Sequence, residues 1–67
     1  MILGLDISTS ITGYAIIDLD GKIIEIGSWD LRNKKQFPDF YSKVKHCKER
    51  LKDISFCYVI ESIFIEP

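Results

Sequence analysis

Residues 2–18 read ILGLDISTSITGYAIID, and this stretch predicts the first two strands of the fold. It opens with an apolar run at 2–7, which is typical of a buried central strand. The small hydroxyl residues at 8–10 predict a turn, and a second run rich in strand formers follows at 12–18. The stretch therefore predicts two neighbouring strands joined by a short turn, with Asp6 near the carboxyl end of the first.

A third strand and a helix are expected next. Asp20-Gly21 predicts a hairpin, because type I′ turns need positive φ and this pair tolerates it, so a strand at 22–29 completes an antiparallel meander. After a polar loop at 31–36, Pro38 and Asp39 suit the first turn of a helix. The apolar positions then recur at helical spacing over roughly five turns: Phe40, Tyr41, Val44, Cys47, Leu51 and Ile54.

The last apolar run predicts a fourth strand that begins near residue 62. Because a helical crossover precedes it, we expect it to lie parallel to the first strand. The fold class is therefore α/β, with element order β-β-β-α-β in a mixed sheet. The apolar ending also predicts that residues 1–67 are part of a larger domain. The unpaired outer edge of the fourth strand predicts an oligomer, strand swapping, or stabilisation by a missing C-terminal part.

Composition excludes several classes of protein. The chain has 67 residues, 46% of them hydrophobic, and a net charge of -1, which fits one small domain and not a disordered tail. It has no apolar run of about 18 residues for a membrane span. A secretory signal is not expected, because no basic segment follows Met1 and Asp6 interrupts the first apolar run. Cys47 and Cys57 fit neither a disulfide scaffold nor a zinc pattern, so buried, reduced thiols in the cytoplasm are expected. Trp29 and Phe37 are expected to pack in the core or an interface, and His46 is expected to be exposed or at the rim of the core.

Charge is divided unevenly along the chain. Residues 1–31 hold five acids and one base, whereas residues 32–54 hold eight bases and three acids. Such a basic segment beside an acidic sheet end can hold a polyanion near a metal site. A simply solvated helix face is the alternative.

Two carboxylates are the candidates for chemistry. Asp6 ends the first apolar strand, where burial would be costly unless the carboxylate is paired or holds a cation. Glu66 ends the fourth strand in the same manner, and if strands one and four are parallel neighbours, the two acids lie side by side. The usual cation between such oxygen ligands is Mg²⁺, and a pair of ions roughly 4 Å apart is the standard device for cutting a phosphodiester. Alternatively, Asp6 caps the turn, Glu66 is merely exposed, or Glu61 takes the place of Glu66.

The same residues carry a resemblance to a known family. The stretch at 2–18, with its strand ending in Asp6 and the Thr12-Gly13-Tyr14 that follows the turn, resembles the opening of the RuvC-like Holliday-junction resolvases, in the ribonuclease H-like superfamily. The Asp-Gly hairpin, the basic helix and a strand ending in Ile-Glu follow in the family's order. The resemblance covers essentially the whole chain. Among the family's members, those of phages and viruses resemble this sequence most.

The resemblance implies a magnesium-dependent endonuclease of DNA recombination. Asp6 would bind both Mg²⁺ (or Mn²⁺) ions and Glu66, or failing that Glu61, one of them. Gly13 would let the phosphate approach closely. Further nucleic-acid contacts are expected from two groups: the turn residues Ser8, Thr9 and Ser10, and the basic residues Lys34, Lys35 and Lys43.

The implied substrate is branched DNA, a four-way junction, and the implied full-length enzyme is a homodimer without membrane contact. It would act in the cytoplasm, that of the host if the protein is phage or viral. The family completes its site with two acids from a C-terminal helix. Residues 1–67 are therefore expected to be the N-terminal part of a single nuclease domain, and inactive alone.

The same residues are also compatible with three other functions. An ATP-binding fold of the sugar kinase, actin and Hsp70 type (ASKHA) would use the turn from Asp6 to Gly13 to bind phosphate. A compact ribonuclease H-like enzyme that trims ribosomal RNA shares the Asp strand and an early glycine. A non-catalytic module that binds nucleic acid or a partner would show the same incomplete set of acids.

Overall fold

The computed structural model describes residues 1–66, and its elements follow the predicted order β-β-β-α-β. The strands are β1 (Ile2–Asp6), β2 (Ile11–Ile17), β3 (Ile23–Asp30) and β4 (Ser62–Glu66), and the helix is α1 (Phe40–Cys57). The fold class, α/β with a mixed sheet, is as predicted. No helix within residues 1–66 is long and apolar enough to cross a membrane.

The sheet has the strand order β3-β2-β1-β4. β2 pairs antiparallel with both β1 and β3, which forms the predicted meander. β4 follows the helical crossover and pairs parallel with β1. β1 is therefore an inner strand, and the carboxyl ends of β1 and β4 lie next to each other at one end of the sheet.

One face of the sheet forms the core with α1 and the loop before it. Its buried apolar residues are Leu3, Leu5, Ile16, Trp29, Leu31, Phe37 and Ile54. The predicted core positions of Trp29 and Phe37 are thus confirmed. His46 is half-buried at the rim of the core, as expected, and packs its ring edge-on against Phe37, with centroids 5.0 Å apart.

Local chemistry explains where the helix and the hairpin begin. Asp39 caps α1 by accepting a 2.8 Å hydrogen bond from the Ser42 amide, and the Ser42 hydroxyl completes a capping box. In the hairpin, Gly21 has φ of 86°, a conformation that favours glycine. The Asp18 carboxylate accepts hydrogen bonds from the amides of Asp20 and Lys22, which closes the turn.

The prediction for the two cysteines was partly wrong. Cys57 is exposed at the end of α1, whereas Cys47 is half-buried on the side that faces the sheet. Burial raises the pKa of the Cys47 thiol, and a hydrogen bond with Thr12 opposes that rise. Cys47 therefore acts as a packing residue of the helix, while Cys57 is open to solvent.

The other face of the sheet is not covered within residues 1–66. Because side chains alternate along a strand, this face carries the residues between the buried leucines of β1. Gly4 pairs with Ala15 and Phe64 across the three strands, and Phe64 is 66% exposed. Asp6 stands at the end of this uncovered face.

Candidate functional site

Asp6 and Glu66 are direct register partners at the carboxyl ends of β1 and β4. The Ile7 amide donates to the Glu66 carbonyl at 2.9 Å, so the parallel ladder holds the two positions together. Neighbouring strands lie about 4.8 Å apart, and partner residues point to the same face. The structure therefore brings the two predicted acids side by side on the uncovered face.

Asp6 is exposed, which corrects one step of the sequence argument. A carboxylate buried within an apolar strand was expected, but Asp6 is the last residue of β1 and solvent reaches its side chain. Glu66 is exposed as well. The feature that points to a cation is therefore the closeness of two acids on adjoining strands, and not the cost of burying one.

Glu61, the alternative to Glu66, lies at the other end of the sheet. Its amide donates to the Met1 carbonyl at 2.8 Å, and its carboxylate accepts from the Met1 ammonium at 3.2 Å. Ile2 pairs with Ser62, and Glu61 lies one residue before that pair, so five residue steps separate it from Asp6, about 16 Å at the usual rise per residue. This geometry does not place Glu61 beside Asp6.

The turn after β1 is held by side chains from two other elements. The buried Thr12 hydroxyl donates to the Ser8 carbonyl at 2.9 Å and accepts from the Ser8 amide at 3.3 Å. The Lys43 ammonium of α1 donates to the Thr9 carbonyl at 2.6 Å. The Ser10 amide donates to the Ser8 hydroxyl at 3.1 Å. The turn that follows Asp6 therefore has a fixed shape.

These contacts change the interpretation of two residues. Lys43 was predicted to contact nucleic acid, but in this structure its ammonium binds the Thr9 carbonyl. Thr12 was seen only as part of a motif, although its hydroxyl is the buried group that fixes the turn. The signal in the sequence was a hydroxyl residue between apolar positions of a strand, where a polar side chain needs a partner.

Gly13 lies opposite Asp6 in the register between β1 and β2. A Cβ atom at this position would come 3.9 Å from the Asp6 Cβ, so glycine leaves the space beside the carboxylate open. A shallow hollow of about 430 Å³ extends from this space along the uncovered face. Asp6, Gly13 and Glu66 line one end of it, and Gly4, Ala15 and Phe64 line its apolar part.

Lys34 and Lys35 belong to the exposed loop after β3. β3 ends where Asp30 pairs with Ile11, and β2 begins there, at the same end of the sheet as Asp6. The loop lysines therefore start from the end of the sheet that carries the two acids. At this end, the Arg32 guanidinium lowers the pKa of Asp30 to about 2 through a 2.7 Å ion pair.

The two acids fit a magnesium ion of the kind that keeps most of its water. Within residues 1–66 no group of three or more His, Cys, Asp or Glu side chains is placed to hold a metal. Mg²⁺ is often bound by one or two carboxylates, with water and phosphate oxygens at its other positions. Asp6 and Glu66, both exposed and adjacent, can supply those two carboxylates.

The chain is similar to the crossover junction endodeoxyribonuclease RuvC of Bacteroides fragilis. The two sequences are 35% identical over 69 aligned residues, which cover 98% of this chain. The chain spans only 35% of the length of RuvC. No protein-family model and no solved structure matches the chain.

Proposed function

We propose that this chain is the N-terminal part of a RuvC-like nuclease domain with the ribonuclease H-like fold. The similarity to RuvC over 98% of the chain supports this proposal, as does the mixed sheet with its helical crossover. The observation that carries it is the pairing of Asp6 with Glu66 at the ends of parallel strands. The chain matches 35% of RuvC, and we propose that the rest of the domain comes from sequence outside residues 1–67.

In this proposal Asp6 and Glu66 are the metal-binding acids. Asp6 would hold two Mg²⁺ or Mn²⁺ ions and Glu66 one of them. Bound there, the metal would supply an activated water and charge stabilisation for phosphodiester hydrolysis. Gly13 leaves room for a phosphate beside the Asp6 carboxylate, because no Cβ fills that space. Lys43 and Thr12 bind the backbone of the turn that follows Asp6, and these contacts hold the carboxyl end of β1 in place.

The proposed substrate is branched DNA, a four-way junction, bound mainly through its phosphates. Lys34 and Lys35 are exposed in the loop that begins at the acid-bearing end of the sheet, from which they could neutralise phosphates without reading bases. The exposed hydroxyls of residues 8–10 are further candidates for phosphate contacts. We further propose that the full-length protein is a homodimer, with a separate junction arm at each acid pair. It would act in the cytoplasm, which is the host's cytoplasm if the protein is phage or viral.

Cleavage of a synthetic four-way junction by the protein that carries this chain tests the proposal. Asp6→Asn and Glu66→Gln should each abolish metal-dependent cutting while junction binding persists. Glu61→Gln is the matched control, because Glu61 lies at the far end of the sheet, and it should cut normally. Loss of cutting in Glu61→Gln alone would contradict the assignment. Binding that survives chelation in a protein that never cuts would favour a non-catalytic module.

The phosphate-binding ATPase alternative has less support. Such a turn would offer free backbone amides to phosphate groups. Here the Ser8 amide donates to the Thr12 hydroxyl, and the Ser10 amide donates to the Ser8 hydroxyl. Two of the amides that would bind phosphate are thus already used within the turn.

A further inference from the structure

Ser28 of β3 lies in the same row of the sheet as the two acids. Glu66 pairs with Asp6, and Asp6 pairs with Gly13. Gly13 in turn pairs with Ser28. Register partners on adjoining strands point to the same face, so Ser28 shares the uncovered face with Asp6 and Glu66. The Ser28 side chain is exposed, whereas that of Trp29, the next residue, is buried on the other face.

Gly13 leaves a gap between Asp6 and Ser28. Two strand spacings of about 4.8 Å separate these two residues, about 10 Å in all. The strand between them carries no side chain at this position, because glycine has no Cβ. Ser28 is too far away to bind the same metal ion as Asp6, since Mg²⁺ ligands lie about 2.0–2.1 Å from the ion. The hydroxyl can instead contact a group that extends from the acid pair across the gap.

Paired strands and the loops that follow them fix the spacing between Asp6 and Ser28. The Leu31 amide, directly after β3, donates to the Ser10 carbonyl at 2.7 Å. This bond joins the loop after β3 to the turn after β1. Asp6 and Ser28 themselves belong to strands, which position side chains more precisely than loops do. A substrate that contacts both residues therefore meets them at a set distance.

We propose that the DNA strand to be cut crosses the gap at Gly13, and that the Ser28 hydroxyl donates a hydrogen bond to a phosphate next to the scissile one. Serine hydroxyls commonly bind phosphate oxygens, and such contacts set the position of DNA on a protein without reading bases. The inference rests on the proposed function, in which the scissile phosphate lies beside Asp6. It makes Ser28 a substrate-positioning residue of that site.

Steady-state cleavage of a synthetic four-way junction, by the protein that carries this chain, tests the inference. Ser28→Ala should raise KM about three- to tenfold and leave kcat within about twofold, because a hydrogen bond to a neighbouring phosphate is made equally in the ground and transition states. Ser28→Thr keeps the hydroxyl and should restore KM. Ser62→Ala is the matched control and should leave KM unchanged, because Ser62 pairs with Ile2 on the same face at the other end of the sheet and is exposed.

Junctions with neutral phosphates locate the contact. Replacing single phosphates beside the scissile bond by methylphosphonate removes their charge one at a time. At one such position the wild-type protein should show about the same rise in KM as Ser28→Ala shows on the natural junction. On that junction Ser28→Ala should raise KM little further, because the two changes remove one interaction. Broadening of the Asp6 amide NMR signal by Mn²⁺ should persist in Ser28→Ala, since the metal-binding acids are unchanged.

An unchanged KM in Ser28→Ala, an equal rise in Ser62→Ala, or a rise that persists on every methylphosphonate junction would overturn the inference. Loss of the Mn²⁺ broadening in Ser28→Ala would also overturn it, because the residue would then act through the metal site. A wild-type protein that cuts the junction while Ser28→Ala has normal KM leaves the proposed function standing. A wild-type protein that does not cut refutes the proposed function and the inference together.

Discussion

Replacing Thr12 by valine should destabilise the protein by removing the hydroxyl that fixes the turn after Asp6. Thr12 is 2% exposed, and its hydroxyl makes one hydrogen bond of 2.9 Å and one of 3.3 Å to Ser8. A hydrogen bond of this kind contributes about 0.5–1.5 kcal/mol net, and the longer one should contribute less. Valine keeps the shape of the side chain, so we expect a loss of about 1–2 kcal/mol in the free energy of unfolding.

Urea denaturation followed by tryptophan fluorescence measures this loss, since Trp29 is buried in the core. The midpoint should fall with an unchanged slope, and the melting temperature should drop by about 4–8 °C for each kcal/mol. Thr9→Val is the matched control, because Thr9 is exposed in the same turn and should change stability by less than about 0.5 kcal/mol. Equal effects of the two substitutions would refute the role assigned to the Thr12 hydroxyl.

Three further predictions concern the helix cap, the sheet and one ion pair. Asp39→Ala should cost about 1 kcal/mol in the same denaturation assay, because it removes the side chain that caps α1. Gly27→Ala should cost about 1–3 kcal/mol and change the near-ultraviolet circular dichroism, because the new Cβ would lie 2.7 Å from the Tyr14 ring, which stacks on Trp29. The pKa of Asp30 should be about 2 by carboxyl NMR and return toward 3.8 in Arg32→Gln. Because that pKa is lowered in the folded state, the pair's contribution to stability is present above pH 3.8 and is lost as the pH falls through about 2.

The order of the elements and the acid pair could be predicted because local rules and topology agree. Each apolar run specifies a strand, Asp20-Gly21 specifies the hairpin turn, and the helical spacing after Asp39 specifies the helix. A helical crossover makes β4 parallel to β1, and parallel strands end at the same side of a sheet. The pairing of Asp6 with Glu66 follows from these two steps, and the structure has that register.

Exposure and long-range contacts were harder to predict. Asp6 is the terminal residue of its strand, so solvent reaches a side chain that the apolar run alone suggested was buried. Cys57 lies ten residues after Cys47, about 80° short of three full helical turns, which turns it away from the core side. The bond from Lys43 to Thr9 joins residues 34 positions apart and depends on how α1 is placed over the sheet. Spacing along the sequence carries no signal for such a contact.

The most direct test of the central claim is manganese-induced broadening of the amide NMR signals of this chain. Low concentrations of Mn²⁺ should selectively broaden the amides of Asp6, Gly13 and Glu66, which share one end of the sheet. Asp6→Asn and Glu66→Gln should each remove the effect, and Glu61→Gln should not. Broadening centred on Glu61, or broadening that persists in Asp6→Asn, would contradict the assignment of Asp6 and Glu66 as the metal-binding acids.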